Sequence, residues 1–235
     1  MNFSDGEIIA FDKPLGWTSF DVVGKIRWLI CKQLGIKKLK VGHTGTLDPL
    51  ATGVVVVCTG KKTKLIEQLQ NHVKEYTATL QLGATTSSFD LEKPIDHYFS
   101  TSHITDTMIN EVIGRFKGEI WQTPPAFSAV KVDGKRAYSF ARKGEDIDLK
   151  AKLLVIDDIE VTGYDPALMQ LTLRIVCSKG TYIRALARDI GEALNSGAHL
   201  IELRRTRVGD IDERKCITIS DFEQIIETEK KNKAV

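Results

Sequence analysis

The sequence predicts an α+β fold, a mixed, largely antiparallel central sheet flanked by helices. Three observations carry that reading. Short runs alternate apolar and polar residues with period two, as half-buried strands do. Other stretches repeat their apolar residues every three to four positions behind a capping signal. The two kinds follow one another without the regular β-α-β rhythm of a parallel, doubly wound sheet. With 235 residues, 42% hydrophobic and 27% charged, the chain can bury a substantial core and reads as a single domain over residues 1–235.

Ile8 to Phe11 is an apolar run stopped by Asp12-Lys13-Pro14-Leu15-Gly16, a strand that leaves through a turn. Thr18-x-x-Asp21 has the form of a capping box, and Val22, Val23, Ile26, Leu29 and Ile30 follow at helical spacing until Gly35. Val54 to Cys58 is β-branched and apolar on both sides, which marks a strand with no solvent face. From Glu75 the alternation is strict: Tyr76, Ala78, Leu80 and Leu82 share one face, with Thr77, Thr79 and Gln81 opposite. Met108, Ile109, Val112, Ile113 and Phe116 give a second amphipathic helix, and Leu171, Leu173, Ile175 and Cys177 a further strand. That strand turns through Ser178-Lys179-Gly180 into a helix whose buried stripe is Ile183, Leu186, Ala187, Ile190 and Leu194. Ser220-x-x-Glu223 opens a last helix bearing Phe222, Ile225 and Ile226, and Glu229 to Lys233 reads as a solvated tail.

Composition excludes several classes of protein. No stretch approaches the ~20 apolar residues of a membrane span, and the acidic N-terminus lacks a signal-peptide core. The expected location is therefore the cytoplasm, with no membrane partner. Cys31, Cys58, Cys177 and Cys216 are too scattered for a zinc site or a disulfide framework, so no metal is expected. The net charge of +2 conceals segregation. Nine Lys and Arg residues lie between Val22 and Ile66 against one acid, Asp48, and a second basic group comprises Arg174, Lys179, Arg184, Arg188, Arg204, Arg205 and Arg207. Acids gather elsewhere, at Glu145, Asp146, Asp148, Asp157, Asp158 and Glu160. Two solvated surfaces would account for this, and so would a face for a polyanion.

The chemistry concentrates in Gly42-His43-Thr44-Gly45-Thr46-Leu47-Asp48-Pro49-Leu50-Ala51-Thr52-Gly53. Three glycines in twelve residues allow tight turns or close approach to a ligand. Pro49 biases Asp48 toward extended or turn geometry, which projects its carboxylate from a loop. Equally, Asp-Pro is how many helices begin. The second piece is Cys177-Ser178-Lys179-Gly180-Thr181-Tyr182-Ile183-Arg184, where a helix N-terminus preceded by lysine suits an anion. Taken one at a time, Tyr76 is a core residue by its strand pattern, His43 a loop histidine and Asp90 a turn residue.

Together these motifs resemble the bacterial tRNA pseudouridine synthase B family. The resemblance rests on the twelve residues 42–53, Asp12-Lys13-Pro14-x-Gly16-x-x-Ser19, Lys74-x-Tyr76, Pro125-x-x-Ser128-Ala129-x-Lys131, Ser178-Lys179-Gly180-Thr181-Tyr182-Ile183-Arg184 and Leu203-Arg204-Arg205. It implies the pseudouridine synthase fold and isomerisation of the T-loop uridine at tRNA position 55. The partner is then the tRNA T-arm and the chain is taken as a monomer. No electrons are exchanged in breaking the N1–C1′ bond, turning the base and joining C5 to C1′, so no cofactor is expected.

By the same resemblance Asp48 is the essential acid, attacking C1′ or taking the 2′ proton. Arg184 orients it, and Asp90 holds Arg184. Tyr76 stacks on the base, Tyr182 and Leu203 line its pocket, and His43 supports the everted loop. Lys13 and Lys179 join the substrate-binding set, and residues from about 122 to 152 form a mobile thumb. The loop Thr86-Ser87-Ser88-Phe89-Asp90-Leu91-Glu92-Lys93 departs from the family's Thr-Asp-Thr-x-Asp-x-x-Gly. The small C-terminal RNA-binding domain of many members is expected to be missing. The alternative function is a tRNA-binding folding helper without turnover.

Overall fold

The computed structural model describes residues 1–132, 134–145 and 147–232. Asp146 and Lys233, counted above among the acids and the tail, lie outside them. The elements run β1 (Ile8–Lys13), α1 (Ser19–Leu34), β2 (Val41–His43), β3 (Ala51–Thr59), a 3-10 turn (Gly60–Leu65), α2 (Ile66–Gln70), β4 (Lys74–Leu82), β5 (Ala84–Thr86) and β6 (Ile95–Tyr98). They continue α3 (Asp106–Gly114), β7 (Gly118–Gln122), β8 (Lys131–Val132), β9 (Lys135–Arg136), α4 (Ala137–Ala141), β10 (Lys152–Asp165) and β11 (Gln170–Cys177). Then follow α5 (Ile183–Ala193), β12 (Ala198–Val208), β13 (Ile211–Asp212), a 3-10 turn (Glu213–Lys215) and α6 (Ile219–Asn232). The fold is α+β. β1 with β3, β2 with β3, β7 with β10 and β10 with β11 pair antiparallel, and Phe11 makes one parallel bridge to Ile217.

Two compact units emerge, one of Met1–Glu75 and the segment from Arg204 onward, the other of Tyr76–Leu203. In the first, β1 lies against β3 with Ile8 opposite Cys58 and Lys13 opposite Gly53. Val54 to Cys58 is buried throughout, as a strand without a solvent face must be. Helix α1 starts where Thr18 and Asp21 satisfy each other's backbone N–H groups, a reciprocal capping box, and stops at Gly35 in the left-handed conformation, φ +64°. Its stripe of Val22, Val23, Ile26, Leu29 and Ile30 is buried. Phe222 of α6 meets Phe3 and Phe11 edge-on, ring centroids 6.0 and 5.3 Å away. Helix α6 corrects the sequence reading in one detail. Thr218 and Asp221 form its capping pair, since Asp221 accepts from the Thr218 N–H at 3.0 Å and donates its own N–H to Thr218 Oγ1 at 3.0 Å. Ser220 already lies inside the helix.

In the second unit the strand order is β4-β11-β10-β7. Tyr76, Ala78, Leu80 and Leu82 of β4 are buried, with Leu171, Leu173 and Ile175 of β11. Helix α5 buries Ile183, Ala185, Leu186, Ala187 and Ile190, and α3 buries Ile109, Val112 and Ile113. The segment compared above to a thumb carries the two-stranded hairpin β8/β9, with Lys131 opposite Arg136, and then α4.

Candidate active site

The loop bearing Asp48 belongs wholly to the first unit and is fixed on several sides. No helix begins at Pro49. Ala51 opens β3 instead and its N–H reaches the Asp48 carbonyl at 3.1 Å, so the helix-cap reading of Asp-Pro is overturned. Just before Asp48, the Leu47 N–H donates to Ser19 Oγ at 2.8 Å, while the Ser19 hydroxyl donates to the Leu47 carbonyl at 3.2 Å. Just after it, the Pro49 carbonyl accepts from the Gly16 N–H at 2.9 Å and from Lys13 Nζ at 3.3 Å. Asp48 itself remains partly exposed. The result is a carboxylate presented by a backbone pinned on both sides.

Lys13 has no exposed surface, and its ammonium also donates to the carbonyls of Pro14 at 3.0 Å and Trp17 at 2.6 Å. Burial drives its pKa down to about 8; the Asp48 charge pulls it back up and the Arg205 charge pushes it further down. Such a lysine holds the loop in place and has no donor left over for a ligand, since an ammonium carries three protons. His43, at the end of β2, accepts the Gly45 N–H on Nδ1 at 3.3 Å, which puts its proton on Nε2. Burial first, and Arg205 second, lower its pKa, so the ring is neutral near pH 7.

Arg184 and Asp90 meet in the second unit. Both are about 5% exposed, with Nε 3.5 Å from Oδ2. Arg184 further donates to the carbonyls of Ser88 at 3.1 Å and Phe127 at 2.9 Å. Asp90 Oδ1 accepts the Glu92 N–H at 2.9 Å. The loop that departs from the family pattern therefore still wraps Arg184. Phe89 adopts φ +61° to turn the chain there, and its ring lies 5.0 Å under the Arg188 guanidinium.

Tyr76 on β4 and Leu203 on β12 are buried, Tyr182 directly precedes α5 with its N–H on Gln122 Oε1 at 2.9 Å, and Lys179 is exposed. The structure thus groups Lys13, His43 and Asp48 in one unit, and Tyr76, Asp90, Lys179, Tyr182, Arg184 and Leu203 in the other.

Most of the second basic group is engaged with protein acceptors. Arg174 pairs with Asp158 at 3.0 Å, Arg188 with Asp189 at 2.6 Å, Arg204 with Asp12 at 2.9 Å and Glu213 at 2.7 Å, and Arg207 with Glu75 at 3.3 Å. Arg205 is only 2% exposed. These arginines are tied to protein acceptors, which lessens the positive charge they present to a polyanion. The exposed lysines of the first group, Lys37, Lys38, Lys40 and Lys64, fit a polyanion better. Sequence reasoning also passed over Ser19 and Arg205 as supports of the Asp48 loop. A period-two signal was present for Arg205, which stands two places after the buried Leu203 in β12.

Among the described residues no group of three or more His, Cys, Asp or Glu could hold a metal ion, and no helix is long and apolar enough to cross a membrane. Four thiols are free.

Comparison with known proteins bears directly on this arrangement. Residues 32–183 match the model of the TruB family pseudouridylate synthase N-terminal domain, and residues 184–235 that of the tRNA pseudouridylate synthase B C-terminal domain. The chain is 64% identical over 222 residues to the tRNA pseudouridine synthase B of Phocaeicola vulgatus, covering 94% of both chains. It is 61% identical over 229 residues to that of Bacteroides thetaiotaomicron, covering 97% of this chain and 95% of the relative. Among solved structures, a Cbf5-Nop10-Gar1 complex superposes with a TM-score of 0.70 at 34% identity, over 95% of this chain and 55% of that one. An H/ACA ribonucleoprotein bound to a substrate RNA containing 2′-deoxyuridine gives 0.70 at 30% identity, over 98% of this chain and 56% of that one. The chain spans little more than half the length of these structural relatives.

Proposed function

Because the chain belongs to the TruB family of tRNA pseudouridine synthases, its reaction is the isomerisation of uridine to pseudouridine in tRNA, and we propose that its target is the T-loop uridine at position 55. The pinned Asp48 loop is the observation that carries this proposal. Isomerisation needs a carboxylate held against the ribose while the base detaches, turns and rejoins through C5. Attack at C1′ and removal of the 2′ proton make the same demand. A carboxylate on a loop fixed by Ser19, Gly16 and Lys13 meets it without reorganising during the reaction.

The remaining assignments follow the same reading. Tyr76 stacks on the everted uracil, Tyr182 and Leu203 line its pocket, and Arg184, fixed by Asp90, supplies a permanent positive charge for the catalytic acid. His43 supports the everted loop, while Lys179 and the exposed lysines around Lys37 to Lys40 meet the RNA backbone. Extruding the base costs a few kcal/mol of stacking, which contacts in the pocket must offset. The segment from 122 to 152 closes over the RNA, and the protein works as a cytoplasmic monomer on the T-arm.

Incubation of unmodified tRNA with the protein, followed by carbodiimide mapping and nucleoside analysis, tests the proposal. Pseudouridine at position 55 without free uracil is the expected product. Release of uracil would assign a hydrolase, and tight binding with no isomer a folding helper.

A further inference from the structure

Arg205 sits in β12, some 160 residues along the chain from the loop that it holds. Its guanidinium donates Nε to the Val54 carbonyl at 2.7 Å, Nη1 to the Thr46 carbonyl at 3.3 Å and Nη2 to the Gly45 carbonyl at 3.2 Å. Gly45 and Thr46 precede Asp48 and Val54 follows it, so one rigid planar group ties both ends of the loop together. The fit is close on the backbone side as well. Gly53 has φ +100°, and a Cβ there would run into the backbone of Arg205. A buried guanidinium matched to three carbonyls is set by the backbone conformation around it, and it sets that conformation in return.

We infer that Arg205 is a positioning residue for the reaction, fixing the place of the Asp48 carboxylate by clamping Gly45, Thr46 and Val54. It makes no contact with RNA in this role. The inference rests on Asp48 being the catalytic acid, and it goes beyond that assignment by naming what holds the acid still. Lysine cannot replace arginine here, because a single ammonium cannot reach carbonyls on both sides of the loop in the geometry of a planar fork.

The test uses the full-length protein and an unmodified T-arm stem-loop RNA. Arg205→Lys and Arg205→Gln are compared with wild type by single-turnover kinetics, RNA affinity and hydrogen exchange. The expected result is a fall in the rate of the chemical step by about 10- to 100-fold, since small displacements of a reacting group have effects of this size. RNA affinity should stay within about threefold of wild type, as it would where a residue acts on the reaction step alone. Faster exchange should be confined to residues 43–53. A merely structural role would move melting temperature and exchange across the whole unit without separating rate from affinity. Unchanged turnover, a loss of RNA affinity matching the loss of rate, or failure of both variants to fold would each overturn the inference. If wild type itself makes no pseudouridine, the functional reading fails instead, and the two failures are told apart.

Discussion

The two charged sites at the centre of this account are held by different physics. In the Asp48 region, the buried cations Lys13 and Arg205 donate chiefly to backbone carbonyls. In the Arg184 region, a buried cation faces a buried carboxylate, Asp90, and also donates to the carbonyls of Ser88 and Phe127. Carbonyl dipoles lie in the chain itself, so the first arrangement converts charge into loop geometry. An ion pair joins two side chains and so fixes the direction of a guanidinium. Damage to the first should appear mainly as lost rate; in the second, loss of the Asp90 carboxylate should appear mainly as lost stability, and loss of the Arg184 fork as lost rate.

The largest expected effect on stability breaks the second region. Asp90→Asn leaves the buried Arg184 charge without its carboxylate and should lower stability by about 3 kcal/mol, read by denaturant unfolding. A loss below about 1 kcal/mol would show that the Asp90 carboxylate is not needed to hold the Arg184 charge, erasing the contrast. Next in size, Arg184→Lys keeps the charge and loses the fork, so turnover should fall roughly 30-fold, about 2 kcal/mol in the barrier, while the protein still binds tRNA.

Smaller effects sharpen the first region. Ser19→Ala removes both hydrogen bonds to Leu47 and should cost about 1 kcal/mol of stability, with a measurable fall in the rate of the chemical step. Equal rates would show that the Ser19–Leu47 hydrogen bonds serve stability alone and do nothing for Asp48. Lys13→Met is read through pH. The folded pKa of Lys13, about 8, lies below its ordinary value near 10.4. Between those values the unfolded chain carries the extra proton, so wild type gains stability as pH rises through that window, by about 1 kcal/mol per pH unit at most. The methionine variant should lack this rise in a comparison of unfolding at pH 8 and pH 10.

Much of this was legible in the sequence, though unevenly. Helix α1 could be read because local chemistry specifies it fully: the Thr18 and Asp21 cap, the apolar stripe and the Gly35 stop are close together in the chain. Strand β4 could be read because water covers one of its faces and apolar packing the other, which leaves a strict alternation. Strand β12 escaped notice because His199 and Arg205 are buried among its polar residues, and a buried polar residue is justified only by a partner far away in sequence. The role of Arg205 depends on carbonyls of Gly45, Thr46 and Val54, and no side-chain motif records where a carbonyl points. For the same reason the arginines of the second basic group looked like an open face, when acids such as Asp12, Glu75 and Asp158 meet most of them.

The central claim is that the carboxylate of Asp48 performs the reaction from a fixed loop. Single-turnover formation of pseudouridine in tRNA by wild type and Asp48→Asn, at protein concentrations that saturate both, measures it directly. The account predicts that the asparagine protein binds the RNA with near-normal affinity and loses at least about 1,000-fold in rate, because an amide is neither a nucleophile nor a base. Product formation by Asp48→Asn at the wild-type rate would contradict it.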